Sequence, residues 1–120
     1  MVLERVLRGT PTGTIFSYLP EIFRSIGLEV KRQKVWGYGE RFNGLIEGVK
    51  PGKHPILVRV RVEGGEEPWS RIGGNFIRLM FTTHMTAEAY DVAGENREES
   101  MRLLQQLDSK ISMYVWHTSG

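Results

Sequence analysis

Apolar and polar positions along this chain follow two rhythms. Between Ile56 and Glu63 the period is two. Ile56, Val58, Val60 and Val62 fall on one side of an extended strand, and Arg59, Arg61 and Glu63 on the other. One dry face and one wet face predict an antiparallel sheet. Towards the C-terminus the period lengthens to that of a helix. Met101, Leu104, Leu107, Ile111, Tyr114 and Val115 form an apolar stripe over about five turns. Leu103, Met113 and Trp116 widen it, and Asn96 with Glu99 reads as a capping box at its start. A second helical stripe runs through Ile15, Phe16, Leu19, Ile22, Phe23 and Ile26 and stops at Gly27. Pro20 interrupts it. The helix is therefore expected to begin at Ser17 or, if it begins at Thr14, to bend at the proline.

The remaining strands are predicted over residues 2–8, 28–36, 40–49 and 75–85, the last continuing towards Ala89. Gly9–Thr14 breaks the chain, Gly37-Tyr38-Gly39 bends it, and Pro51-Gly52 suits a type II turn. Residues 64–74 are expected to form a loop between Gly64-Gly65 and Gly73-Gly74, with Trp69 at its middle. The resulting order is β-α-β-β-β-β-α. It predicts an α+β domain in which a curved antiparallel sheet packs on a long C-terminal helix. Without βαβ alternation, a doubly wound parallel sheet is not expected. This order resembles the helix-grip arrangement of lipid-transfer START-type domains and plant pollen-allergen proteins. It also resembles one repeat of the TATA-binding-protein fold. The resemblance covers element order along the whole chain and no specific motif, so no functional residue carries over from either family.

Composition narrows the class. The chain has 120 residues, 40% apolar and 25% charged, which suits one domain over 1–120. No apolar run nears the ~20 residues that span a bilayer, so no membrane partner is expected. Met1–Arg5 lacks the pattern of a secretory leader, and a cytoplasmic location is expected. The absence of cysteine excludes disulfides, thiolate metal sites and thiol nucleophiles. The net charge of +2 conceals an asymmetry. Residues 1–62 hold eleven Lys/Arg against five Asp/Glu, whereas residues 63–120 hold five against nine. The basic half carries most of the strands.

Catalytic chemistry finds little footing. His54, His84 and His117 show no metal-ligand spacing. Thr10-Pro11-Thr12-Gly13-Thr14 opens a helix but lacks the Gly-Lys-Ser/Thr ending of a phosphate loop. Glu66-Glu67 and Glu98-Glu99 are adjacent in sequence, so neither makes a ready dyad, and Glu98 is placed to pair with Arg102. No serine stands in a G-x-S-x-G frame. A binding protein without catalytic residues, metal or cofactor is the expectation.

Three binding readings remain. The aromatic and methionine inventory would line an apolar small-molecule or lipid pocket between sheet and C-terminal helix, with Phe23, Trp36, Phe42, Met80, Met101 and Trp116 as the lining. This reading is placed first. Alternatively, Arg32, Lys34, Arg41, Arg59 and Arg61, interleaved with Trp36 and Tyr38, would form a basic and aromatic sheet face for nucleic acid. The third is a homodimer or scaffold formed by surplus apolar helix surface or a free sheet edge. The direction of Lys34, Trp36, Arg59 and Arg61 discriminates the first two. A shared exposed face favours nucleic acid, and Trp36 in a hollow under the helix favours a ligand.

Overall fold

The computed structural model describes residues 2–37, 41–72, 76–91, 94 and 97–115, with backbone alone for 66–72 and 76–81. The elements are β1 (Val2–Arg8), α1 (Thr12–Ser25), β2 (Glu29–Trp36), β3 (Arg41–Lys50), β4 (Ile56–Ile72), β5 (Phe76–Asp91) and α2 (Arg97–Val115). The fold is α+β, and its elements come in the order the pattern predicts. The five strands form one antiparallel sheet in the order β1-β5-β4-β3-β2. Both helices pack on the same face of it. There Val58, Val60, Val62, Met85, Ala87 and Ala89 from the sheet meet Ile15, Leu19, Phe23, Leu103, Leu107 and Ile111 from the helices.

Two glycines set how close α1 comes to the sheet. A Cβ on Gly44 would lie 2.5 Å from the Phe16 ring, and one on Gly48 would lie 2.7 Å from the Phe23 ring. The two aromatic rings therefore rest directly on the backbone of β3, where any larger residue would push the helix away. Phe42 closes the end of this layer, its ring 5.7 Å from that of Phe16.

α1 takes the longer of its two expected extents. It runs unbroken from Thr12 with Pro20 inside, and Ser17 bonds its hydroxyl to the Thr14 carbonyl instead of capping the helix. An interior proline costs about 3 kcal/mol. Fully buried Leu19, Ile22 and Phe23 offset that, at roughly 1.5–3 kcal/mol for each buried side chain. At the other end Gly27 adopts φ +86°, while the Leu28 amide bonds the Phe23 carbonyl and the Gly27 amide bonds the Arg24 carbonyl. That paired capping pattern is the stop expected at Gly27.

The loop expected at 64–74 is mostly strand. β4 and β5 pair from Ile56↔Asp91 out to Ile72↔Phe76, with an irregularity between Pro68 and Ser70. Gly64 marks a close approach and not a break. A Cβ there would lie 2.2 Å from the Thr82 carbonyl oxygen and 2.5 Å from the Thr12 hydroxyl. Thr12 and Thr83 share a buried hydroxyl–hydroxyl hydrogen bond of 2.7 Å at the same place, tying the start of α1 to the sheet.

The inward stripe of α2 is Ser100, Leu103, Leu104, Leu107, Ile111 and Val115. Met101 and Met113, expected in that stripe, are 44% and 68% exposed instead. Tyr114 is half-buried and stacks on Tyr18 of α1, with ring centroids 4.8 Å apart. Among the described residues, two ion pairs fasten α2 to the sheet. Arg5 on β1 makes two hydrogen bonds to the Asp108 carboxylate, at 3.0 and 2.8 Å, and Lys50 on β3 holds Glu99. Asn96, the expected cap, lies outside the described residues.

Candidate functional site

The antiparallel register fixes which side chains share the face that the helices leave bare. Directly opposed residues point the same way. One row across the sheet is Trp36, Asn43, Glu63, His84 and Val6. The next is Lys34, Leu45, Arg61, Thr86 and Glu4, and a third is Arg32, Glu47, Arg59, Glu88 and Val2. Arg41 stands on the same face, opposite Gly65. All of them alternate with the core residues Ile46, Val60, Val62, Met85 and Ala87.

A bulge in β2 makes this possible. Strict alternation would put Val30, Arg32 and Lys34 on one face. Val30, however, packs against the core. The register shifts between Val30 and Arg32, so Lys31 is the extra residue and the phase changes there. Val30 turns to the helices, while Arg32, Lys34 and Trp36 turn to the bare face.

The cations on this face are of two kinds. Glu47, its side chain only 13% exposed, lies 3.5 Å from Arg32 and 3.6 Å from Arg59. This carboxylate between two guanidinium groups neutralises part of the third row, and the buried Nε of Arg59 has no hydrogen-bond partner among the described residues. Arg41 reaches Glu63 at 3.6 Å, but both side chains are more than half exposed. Such a pair contributes little and opens easily. Lys34 and Arg61 differ: among the described residues neither has a carboxylate partner. They flank Leu45, which is 8% exposed although it lies on the bare face. Aliphatic stems of long cationic side chains cover apolar neighbours in this way while their charged ends stay wet. The Lys34 ammonium also stands 5.5 Å from the centre of the Trp36 ring. Trp36 itself is 39% exposed. The site thus offers an accessible indole beside two cations that have no carboxylate partner among the described residues and that stand on strands about 10 Å apart, two strand spacings across the sheet.

Of the six residues expected to line an apolar pocket, the four whose side chains are described do not share one face. Phe23 is fully buried between α1 and β3, and Phe42 packs on Phe16 on the same side. Trp36 lies on the opposite face, and Met101 faces outward from α2. A single pocket cannot take side chains from both sides of a sheet. The Met80 side chain and Trp116 lie outside the described residues, as does Tyr38 of the basic set. Sequence reading missed Glu47 and Leu45, whose importance comes from cross-strand neighbours that no local window contains.

A second charged cluster sits at the N-terminal end of α2. Glu99 accepts a hydrogen bond from Lys50 and pairs with Arg102 at 3.2 Å. The Lys50 hydrogen bond, with the nearby Lys50 and Arg102 charges, holds the Glu99 carboxyl below its usual range despite partial burial. The observed partners of Arg102 thus include Glu99, the immediate neighbour of the expected Glu98. Among the described residues no group of His, Asp or Glu could hold a metal ion, and no helix is long and apolar enough to cross a membrane.

Comparisons with protein families, curated proteins and solved structures find no match for this chain.

Proposed function

We propose that the chain is a nucleic-acid-binding module whose contact surface is the bare sheet face around Lys34, Trp36 and Arg61, and that its ligand is single-stranded. The observation behind this reading is the register that gathers on one face an exposed indole and two cations without a carboxylate partner among the described residues. Cations track the phosphates of a single strand, and an exposed aromatic ring stacks on its bases. Arg32, Arg41 and Arg59 surround this centre and are partly neutralised by Glu47 and Glu63. An apolar ligand between sheet and C-terminal helix has less support, because Leu103, Leu107 and Ile111 of α2 already share one buried core with Met85, Ala87 and Ala89 of β5. The finer architecture, helix-grip or TATA-binding-protein-like, stays within this proposal as a resemblance of element order. The functional part of it is the bare face.

The test is fluorescence anisotropy with labelled single-stranded DNA and RNA homopolymers across a salt series. Neutralising two to four phosphates predicts a log–log salt slope of about −1.4 to −2.8. No binding at low salt, or binding indifferent to salt, would refute the reading. Native mass spectrometry that retained a co-purifying apolar molecule would restore the ligand alternative.

A further inference from the structure

The two edges of the sheet are built differently. β2 carries the bulge at Lys31 and a dense set of cations, Lys31, Arg32 and Lys34. Bulges and charges are the usual guards against pairing with another chain. β1, at the other edge, has neither guard to the same degree. Its register with β5 is regular from Val2↔Glu88 to Arg8↔Thr82. Val2 and Val6 on the bare face are 62% and 44% exposed. The strand is also firmly held, since Arg5 on the helix side is clamped by Asp108.

We infer that β1 is a self-pairing edge, and that its partner is β1 of a second copy of this chain, running antiparallel about a two-fold axis through Val6. The argument is charge complementarity. Along the bare face β1 reads Val2, Glu4, Val6, Arg8. With the axis through Val6, Glu4 of each copy stands opposite Arg8 of the other, and Val6 stands opposite Val6. On the helix side Arg5 stands opposite Leu7, and both copies keep their helices on one side of the joined sheet. Registers centred on Glu4 or Arg5 would oppose Glu4 to itself or Arg5 to itself, and like charges directly opposed are unfavourable. Opposed charges, an apolar pair on the axis and an exposed edge thus select one register. A two-fold contact is self-complementary by construction, which this charge order satisfies. The inference is independent of the nucleic-acid reading, because the basic centre lies on β2, β3 and β4.

Sedimentation velocity over a micromolar concentration series tests it. The full chain is expected to approach twice the monomer mass at the upper end. Glu4→Arg sets four arginines against one another across the axis and should weaken the dimer about tenfold or more. Val6→Lys places two ammonium groups on the axis and should act in the same direction. The double exchange Glu4→Arg with Arg8→Glu restores the opposed charges in reverse and should recover most of the wild-type association. All three positions are exposed, and a circular dichroism melt checks that each variant folds. A wild-type chain that stays monomeric throughout overturns the inference. So does a dimer indifferent to both Glu4→Arg and Val6→Lys. Failure of the double exchange to rescue overturns the Val6 register.

Discussion

The two faces of the sheet draw on the same strands and differ in every other respect. On the helix side, β3 and β4 offer Gly44, Ile46, Gly48, Val58, Val60 and Val62, buried and fitted to Phe16, Phe23 and Leu107. On the bare side, the residues between them offer Leu45, Glu47, Arg59 and Arg61, with Glu47 paired across strands to Arg59 and to Arg32 of β2. The first face is specified by shape and the second by charge placement. Because neighbours in sequence alternate between the two, stability and binding can be changed separately by substitutions one residue apart.

The largest effect belongs to the helix side. Leu107→Ala should cost about 2–5 kcal/mol in urea denaturation, through lost burial and the cavity left behind. Gly44→Val should follow at about 1–3 kcal/mol, because the new side chain has to displace the Phe16 ring. On the bare side Trp36→Ala should leave stability within about 0.5 kcal/mol. It should nevertheless weaken single-strand binding by about 1–3 kcal/mol, roughly five- to 150-fold, by removing the stacking platform. A Trp36→Ala variant that lost its fold as readily as Leu107→Ala would collapse the distinction between the faces. Replacing Lys34 and Arg61 together by glutamine should flatten the salt slope by about 1.4, with little change in melting temperature. The smallest effect is at the clamp between β3 and α2. Glu99 has a folded-state pKa lowered from the ordinary 4.5, so its stabilisation is present above that value and is lost as pH falls through the folded one. Glu99→Gln should remove this acid-limb dependence while costing under about 1 kcal/mol near neutrality, given how exposed its cationic partners are. Paired pH–stability curves check it.

What could be read from the chain was what repeats locally. The alternation from Ile56 to Glu63 separates core from surface as found, and the helical stripes place both helices on the core. The features that escaped depend on contacts distant in sequence. α1 continues through Pro20 because burial of Leu19, Ile22 and Phe23 outweighs a local penalty. Gly64 resembles a loop residue until Thr12 and Thr82 are brought against it. Met101 falls at a helical period, yet Ser100 takes the inward place beside the sheet. For the candidate site, the residue types of the basic set were legible. Their common face was not, because it depends on a change of phase within β2. Nor did local pattern reveal that Glu47 occupies Arg32 and Arg59, while Lys34 and Arg61 have no carboxylate among the described residues.

The bulge at Lys31 has a consequence for how this chain tolerates changes in length. An edge strand with one surplus residue can lose a residue and become regular. Deleting Lys31 leaves Val30 facing the helices and Arg32, Lys34 and Trp36 facing away. Deleting Gln33 can be absorbed the same way, with Lys34 and Trp36 unmoved. β4 between Ile56 and Gly65 has partners on both sides and no such surplus, so a deletion there would turn Arg59 and Arg61 towards the helices or bring their apolar neighbours into water. Insertions and deletions accumulated by related chains should therefore gather in the first half of β2 and spare β4.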